Sequence, residues 1–496
     1  MNSRQPHRWG ALALGAIGLV SACAPSAPKE PRPSASTGPV SSKVSSAKER
    51  KTLSITVYNQ NFGLVREIRD LSLGSGRVSL EYGDVSGHIQ PETVHIKALG
   101  QGPSDEHALD VLEQNYRYDL LQPRTLLDKY VGKKIKIYRY NEQLGREEPF
   151  DAEVLSANDA GTVLRINGEV TYDFPGRFAF PGVPANLIAK PTLVWLLQSG
   201  KAEQRVEVTY LTQNLNWSAD YVLVVDAEDR TGDLTGWVTL VNNTGTSYDD
   251  ASLKLVAGDV QRVAPTDIST VERTLARADA GGEGRGFKEE GFFEYHLYTL
   301  ERPTSVLDKE QKQVTLLEGR GASVVKKLIL PGQEYWYRGQ YGQVVSNQKV
   351  GVFLDIQNTE KNHLGMPLPK GVVRVYKADS TGAKQFIGED QIDHTPRDEK
   401  IRVKMGEAFD VVGDRKQTEW TTLGSCTSES AWEISLRNHK DTVEHVEVME
   451  PVGGDWEVTN ASHPWVKQDA RTFSFDVQVP ARGETKITYR VRVRWC

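Results

Sequence analysis

The sequence lacks the features that mark several common protein classes. Beyond the first twenty residues, no apolar run approaches the ~18 residues that a membrane-spanning helix needs. The formal net charge is −6, and because nucleic-acid-binding proteins usually carry a basic face, no nucleic-acid partner is predicted. Gly-Lys-Ser/Thr phosphate loops, His-Glu-x-x-His helices and Gly-x-Ser-x-Gly elbows do not occur. We therefore assign no catalytic residue, expect no metal and no cofactor, and favour a role other than an enzyme.

The start of the chain has the order of a bacterial export signal. A basic segment precedes an apolar run from Trp9 to Val20, and small residues then lead directly into Cys23. The apolar run is too short for a permanent bilayer span, so residues 1–22 are predicted to be a signal peptide. The small residues before Cys23 resemble the lipobox of bacterial lipoproteins, which implies a lipidated Cys23 and a membrane anchor. An ordinary signal followed by a coincidental cysteine is the alternative.

The segment that follows is poor in large apolar side chains. Residues 23–50 are rich in proline, serine and alanine, which predicts a disordered tether. Ala24 stands where an aspartate would favour retention in the inner membrane, so the resemblance to lipoproteins implies the outer membrane, facing the periplasm. Only three cysteines are present, and lipidation of Cys23 would leave Cys426 and Cys496. A disulfide between these two is one interpretation and two free thiols are the other.

Alternation of apolar and polar residues dominates the rest of the chain. TFSFDVQV at 472–479 and ITYRVRVRW at 487–495 predict two half-buried strands, joined as a hairpin by a turn at 480–483. Helical patterns are scarce, with short helices predicted at 109–121 and 125–130. The predicted fold class is mainly β, with several antiparallel β-sandwich (immunoglobulin-like) units, a small SH3-like barrel and few short helices.

Composition and turn signals divide the chain into segments. After the signal peptide and the lipidated cysteine with its tether, the predicted units are an N-terminal β region at 51–115, a small β-barrel at 116–180, part of a β-sandwich at 181–261, a flexible glycine-rich connection at 262–291, a β-sandwich at 292–414 and a C-terminal β-sandwich at 415–496.

Several stretches resemble a known family. They include TYLTQNLNWSADYVLVVD at 209–226, LTGWVTLVNNTGTSYDDASLKLVAGDV at 234–260, LGMPLPKGVVRVY at 364–376 and FIGEDQIDHTP at 386–396. In order and spacing they resemble the domain-of-unknown-function family 4139, which is related to proteins labelled mucoidy inhibitors. Relatives of the mucoidy-inhibitor type carry a long coiled coil between their halves, where this chain has the predicted barrel. The resemblance implies a fold and no activity.

His394 is the titratable residue in the sharpest of these motifs. It lies in His394-Thr395-Pro396, shortly after Glu389 and Asp390. A histidine near two carboxylates has the composition of a general base or a metal ligand. A loop histidine that is bonded to the backbone beside a proline-set turn is the alternative.

Three consecutive aromatic residues, Tyr335, Trp336 and Tyr337, form the second candidate binding site. Read as a strand, they place Tyr335 and Tyr337 on one side and Trp336 on the other. Exposed aromatic rings stack on sugar rings, whereas the alternative is a core aromatic residue with an interface tyrosine.

These patterns favour a lipid-anchored bacterial envelope protein with a non-catalytic interaction or scaffolding role. Its expected partners are the membrane, through the lipid anchor, and envelope proteins or polysaccharide. One alternative is a cell-wall or polysaccharide-binding protein that uses the aromatic residues. The other is a hydrolase centred on the His394 loop.

Overall fold

The structure is a computed structural model that describes residues 39–100, 108–158, 161–172, 174–184, 187–262 and 287–496. Cys23, the predicted signal peptide and the tether up to residue 38 lie outside the described residues, as does the glycine-rich connection from 263 to 286.

The first part of the chain consists of short strands, two 3-10 helices (Ala47–Glu49 and Pro91–Thr93) and one α-helix. The elements are β1 (Ser41–Ser45), β2 (Arg50–Tyr58), β3 (Phe62–Ser72), β4 (Gly76–Tyr82), β5 (His95–Ala98), β6 (Leu109–Arg117), α1 (Pro123–Lys129), β7 (Lys134–Asn141), β8 (Arg146–Asn158), β9 (Gly161–Ile166), β10 (Glu169–Tyr172), β11 (Arg177–Ala179) and β12 (Thr192–Ser199).

The second part contains longer strands and two further 3-10 helices (Glu334–Arg338 and Glu360–Asn362). The strands are β13 (Glu203–Gln213), β14 (Leu215–Val225), β15 (Thr231–Asn242), β16 (Tyr248–Ala257), β17 (Phe287–Phe292), β18 (Tyr295–Leu300), β19 (Thr304–Val306), β20 (Glu310–Pro331), β21 (Gln343–Gln357), β22 (Gly371–Ala378), β23 (Lys384–Ile392), β24 (Lys400–Thr422), β25 (Thr427–Asn438), β26 (Glu444–Pro451), β27 (Asp455–Ala461), β28 (Trp465–Asp469), β29 (Thr472–Val479) and β30 (Glu484–Arg494).

The predicted mainly β fold is confirmed, and alternation explains it. In β2, Leu53, Ile55 and Val57 are buried while the residues between them are partly exposed. Successive side chains of a strand point to opposite faces, so this pattern buries one face of the sheet. The same alternation recurs in β14 and β30.

Two sheets share the core of the N-terminal region. One has the order β1-β4-β12-β6, and the other runs β17-β18-β16-β2-β3-β13-β5. Leu80 and Trp195 from the first sheet and Val65 and Val208 from the second belong to one buried cluster. This cluster continues into the middle of the chain through β14, β15 and β22.

A strand arrangement occurs three times along the rest of the chain. A first strand (β15, β21 or β25) ends at or next to a buried asparagine, Asn242, Asn358 or Asn438. The following strand (β16, β22 or β26) pairs in parallel with an earlier one, which is β2, β14 or β20. A later strand (β20, β24 or β30) then returns antiparallel to the first. We call these three arrangements the asparagine units.

Long strands join the asparagine units to one another. β20 pairs with β15 along its first half and with β21 and β26 along its second half. β24 likewise pairs with β21 and then with β25. Because each of these strands belongs to two neighbouring units, the units are connected by sheet hydrogen bonds rather than by free linkers.

The segment between β6 and β12 forms a separate small module. β6 and β12 are antiparallel neighbours, with Arg117 opposite Thr192, and the module occupies the connection between them. Its sheet has the order β10-β9-β8-β7-β11, and Ile137, Val154 and Leu164 lie in a core of its own. The sheet is antiparallel, as a small barrel requires, but its described strands do not close into a barrel. We call it the inserted module.

Three local predictions are corrected. Residues 41–49 of the predicted tether form β1 and a 3-10 helix, because β1 pairs with the edge of β4. Residues 287–291 of the predicted flexible connection belong to β17, which pairs with β18. Residues 109–117, predicted as helix, form strand β6 because β12 offers a partner, whereas α1 confirms the helix predicted beside it.

The predicted C-terminal hairpin is wrong in its pairing. β29 and β30 are both strands, but β29 pairs with β26 and β28, whereas β30 pairs with β25 and β27. The turn at 480–483 therefore crosses from one layer of a sandwich to the other. Phe475 and Val477 face Ile487 and Tyr489 across the core between these layers.

Candidate functional site

Cys426 and Cys496 lie at neighbouring ends of paired strands. Cys426 precedes β25 and Cys496 follows β30, whose ends are in register at Thr427 and Arg494. The two cysteines form a disulfide with a Cα–Cα distance of 5.9 Å, within the usual range for such bonds. The backbone N–H of Trp495 donates to the carbonyl of Cys426 at 2.9 Å, so the bond closes an edge that is already hydrogen-bonded.

His394 lies in a loop held by backbone pairing. Its neighbour Thr395 exchanges two backbone hydrogen bonds with Leu368, at 2.8 and 2.9 Å. The backbone N–H of Lys370 donates to His394 Nδ1 at 3.2 Å. Burial, followed by the nearby charge of Lys370, lowers the pKa of His394. The neutral ring therefore carries its proton on Nε2, which is buried without a hydrogen-bond partner among the described residues.

The two carboxylates upstream of His394 are used elsewhere. Glu389 forms an ion pair with Arg374 at 3.3 Å. Asp390 accepts a hydrogen bond from the backbone of Lys404 at 2.7 Å. With its basic nitrogen already accepting a backbone bond, His394 has the geometry of a loop support. Within the described ranges, no three or more His, Cys, Asp or Glu side chains are placed to hold a metal ion.

The segment with three aromatic residues is a 3-10 helix, Glu334–Arg338, and not a strand. Trp336 and Tyr337 are buried, with 4% and 1% of their surface exposed, and Tyr335 is 55% exposed. The predicted binding role of Trp336 and Tyr337 as surface rings is therefore wrong. Strand alternation does not apply here, because a 3-10 helix has three residues per turn.

Trp336 and Tyr337 instead cover a buried ionic cluster. Arg415 donates to Glu450 at 2.7 Å, and its guanidinium lies 4.6 Å from the centre of the Trp336 ring. The Tyr337 hydroxyl donates to Glu450 at 2.7 Å and is 2.9 Å from the Tyr489 hydroxyl. Burial raises the pKa of Glu450 even beside Arg415. Because the cluster is buried, it is closed to ligands, and its hydrogen bonds order the core, while Arg415 Nε and Nη1 have no hydrogen-bond partner among the described residues.

Tyr335 and three further side chains, all exposed or half-buried, lie on and beside the 3-10 helix. Tyr341 is 42% exposed, and its hydroxyl donates to the Tyr335 carbonyl at 3.4 Å. The Arg338 guanidinium lies 5.0 Å from the centre of the half-buried Trp495 ring and pairs with Glu334. We call Tyr335, Arg338, Tyr341 and Trp495 the aromatic surface. It lies beside the disulfide, because Trp495 precedes Cys496.

Sequence reasoning found only part of this surface. Tyr335 is a predicted candidate, whereas Trp495 is predicted only as the last residue of a half-buried strand. Trp495 lies beyond the end of β30, where strand alternation no longer sets the direction of a side chain. The Trp495 ring packs against Gly453, where a side chain would not fit: a Cβ there would come within 2.9 Å of the ring.

The arginine row of β30 is paired with carboxylates. Arg490 contacts Glu419 and Glu429, Arg492 contacts Glu429 at 3.0 Å, and Arg494 contacts Asp455 at 2.9 Å. The row is therefore a neutralised outer face of the sheet.

In the part of the chain that the structure describes, no helix has the length and apolar character to cross a membrane.

A family comparison covers more than half of the chain. The model of a family described as a domain of unknown function (DUF4139) matches residues 206–496. The matched range includes the aromatic surface and the asparagine units apart from β2, and it excludes the inserted module. No curated protein matches the chain.

Proposed function

We propose that this chain, which belongs to the DUF4139 family, is a lipid-anchored bacterial envelope protein that binds a partner protein through the aromatic surface. The observation that carries the binding role is the exposure of Tyr335, Arg338 and Tyr341, with the Arg338 guanidinium over the Trp495 ring. Tyrosine, tryptophan and arginine are the residues that most often dominate binding energy at protein interfaces.

Two features support the envelope location. The lipobox-like start implies that Cys23 carries the anchor. The Cys426–Cys496 disulfide fits an oxidising compartment such as the periplasm. Ala24 after the cysteine favours the outer membrane as the place of anchoring.

The body of the protein suits a scaffold. Its asparagine units share β20 and β24. Tyr335 and Arg338 of the aromatic surface lie on the short 3-10 helix between β20 and β21, and Tyr341 and Trp495 lie next to the ends of β21 and β30. Surfaces on such elements keep their geometry when a partner binds, which lowers the entropy cost of association.

The two other candidate roles have weaker support. Polysaccharide binding at residues 335–337 would rely on Tyr335 alone, because the rings of Trp336 and Tyr337 are buried in the core. A hydrolase centred on His394 would need a base with a free nitrogen, and His394 Nδ1 accepts the Lys370 N–H instead.

The anchor is tested by metabolic labelling and fractionation. We expect wild-type protein to incorporate labelled palmitate and to fractionate with outer membranes. Cys23→Ser should abolish both, and Cys426→Ser, which removes a different cysteine, should leave labelling unchanged. Labelling of the Cys23→Ser variant, or unlabelled wild-type protein, contradicts the anchor.

The surface is tested separately by mild purification from membranes. We expect the double variant Tyr335→Ala/Arg338→Ala to bind its copurifying partner about 30-fold more weakly, which corresponds to one hot spot of about 2 kcal/mol. Tyr172→Ala removes a 75% exposed tyrosine from the inserted module and is the matched control. Equal recovery of the partner by all three proteins contradicts the binding role.

A further inference from the structure

We propose that a cavity between the inserted module and the end of β6 binds a neutral oligosaccharide. The cavity has a volume of about 780 Å³, within the usual range for small-molecule sites. Its lining includes Tyr116, Arg117, Tyr118, Asp119, Gln122 and Thr125. This site is separate from the aromatic surface and goes beyond the protein-binding role.

The walls of the cavity are fixed by backbone pairing. The chain enters the inserted module after β6 and returns through Ile188 toward β12. The outgoing and returning segments are hydrogen-bonded to each other. Leu121 N donates to the Ile188 carbonyl at 2.8 Å, and Ile188 N donates to the Asp119 carbonyl at 3.1 Å. The cavity is thus formed in advance, as ligand sites usually are.

Two tyrosine rings form an aromatic wall. The ring centres of Tyr116 and Tyr118 are 5.6 Å apart, and their planes are inclined by 32°. The Tyr116 hydroxyl donates to the Ser86 carbonyl at 3.0 Å, which holds this ring in place. Tyr118 is 69% exposed, so its ring is accessible to a ligand. An aromatic face of this kind stacks on the C–H face of a sugar ring.

The polar groups beside this wall carry no unbalanced charge. Arg117 pairs with Glu81 at 3.0 Å, and Asp119 pairs with Lys129 at 2.7 Å. Gln122 adds an amide, which both donates and accepts. These groups can bond to many hydroxyls, but they offer no net charge to an anion or a cation. Together with the aromatic wall, they fit a neutral ligand with one apolar face and several hydroxyls.

The experiment uses the full-length protein in detergent and two soluble probes. Binding of tetra-N-acetylchitotetraose and of cellotetraose is measured by isothermal titration calorimetry. We expect at least one of them to bind, and Tyr118→Ala to weaken that binding by about tenfold, because the stacking ring is removed. Tyr118→Phe keeps the ring and should bind within about twofold of wild type.

The control is Tyr172→Ala, which removes an exposed tyrosine of the same module away from the cavity lining. It should bind like wild type. Failure of both probes to bind at millimolar concentration, or equal binding by wild type and Tyr118→Ala, overturns the proposal. Partner recovery through the aromatic surface is a different measurement, so either result leaves the protein-binding test intact.

Discussion

Individual buried charges in this protein are compensated by specific partners. Asp355 is 8% exposed at its side chain and accepts two hydrogen bonds from Arg402, both at 2.7 Å. Burial alone would raise the pKa of Asp355, but the hydrogen bonds and charge of Arg402 outweigh it and hold the pKa below its usual value. A carboxyl with a lowered folded-state pKa contributes stability above its unfolded pKa, ~3.9, and loses that contribution as the pH falls through the folded value.

Asp355→Asn should therefore lower stability at neutral pH and remove part of its acid dependence. At pH 7 we expect a loss of about 2 kcal/mol in the free energy of unfolding, because Arg402 keeps its charge without its carboxylate. The difference from wild type should shrink as the pH falls below about 4. Urea unfolding at several pH values measures this. Asp476→Asn makes the same charge change at a 78% exposed side chain and should show little effect. A pH-independent difference for Asp355→Asn would contradict the assignment.

At the level of single residues, the sequence shows identity but not environment. Tyr335, Trp336 and Tyr337 look equivalent in the sequence, yet the 3-10 helix exposes only the first. From the sequence, His394 is a candidate base, but in the structure its Nδ1 accepts a hydrogen bond from the Lys370 backbone N–H. Both outcomes depend on contacts between residues distant in the chain, and neither local composition nor alternation encodes such contacts.

At the level of strands and turns, the buried asparagines join the parts of each asparagine unit. Each side-chain amide donates to carbonyls of the loop after its own strand and of the turn before the returning strand. The acceptors are Thr246, Val306 and Leu307 for Asn242, Met366 and Pro396 for Asn358, and Thr442, Val479 and Pro480 for Asn438.

The turn before each returning strand also has a common conformation. Lys309, Asp398 and Arg482 have positive φ angles of 56°, 65° and 49°. Such angles are uncommon outside glycine, and here they occur at equivalent places in all three units. The asparagine and this turn together explain why the returning strand starts at a fixed register.

Asn438→Ala should destabilise the C-terminal unit strongly. The variant leaves the carbonyls of Thr442, Val479 and Pro480 without their donor, and we expect a loss of about 3 kcal/mol in the free energy of unfolding. Chemical denaturation measures the change. Asn460→Ala removes an exposed asparagine and should cost less than about 0.5 kcal/mol. Similar costs for both variants would show that the buried amide does not support the unit.

Strands were predictable from the sequence, but their partners were not. The alternation at 472–479 and 487–495 correctly marks β29 and β30, and nothing in it says that they lie in opposite layers. The segment 109–117 has no clear alternation, and it becomes strand β6 only because β12 lies beside it. The turn after Asn242, in Asn242-Asn243-Thr244-Gly245, is visible in the sequence, but its likeness to the turn after Asn438 is not. In both turns the asparagine Oδ1 accepts a hydrogen bond from the backbone N–H two residues on, whereas Asn358 Oδ1 accepts from Gly365.

At the level of the whole molecule, a body of connected sheets carries the inserted module. The match to the family begins at residue 206, after the inserted module ends and the chain has returned through β12. The core of the module is separate from the cores of the body. A module joined at two neighbouring strands can be gained or lost without disturbing the sheets beneath it.

Removal of the inserted module should therefore leave the body folded. Arg117 and Thr192 are the last paired residues of β6 and β12, so an Asn-Gly turn in place of residues 118–191 can join them as a two-residue hairpin. We expect far-UV circular dichroism and the thermal midpoint of the body to change little, and oligosaccharide binding to be lost. Unfolding of the shortened chain would contradict the division into body and module.

The central claim is that the aromatic surface is a protein-binding site, and photo-crosslinking in living cells tests it most directly. A photoreactive amino acid is placed at Tyr335 and, in a control, at Tyr172, which is exposed on the inserted module. The account predicts a discrete protein adduct from position 335 that is lost when Arg338→Ala and Tyr341→Ala are added, with no such adduct from position 172. Absence of an adduct at 335, or the same adducts from both positions, would contradict the claim.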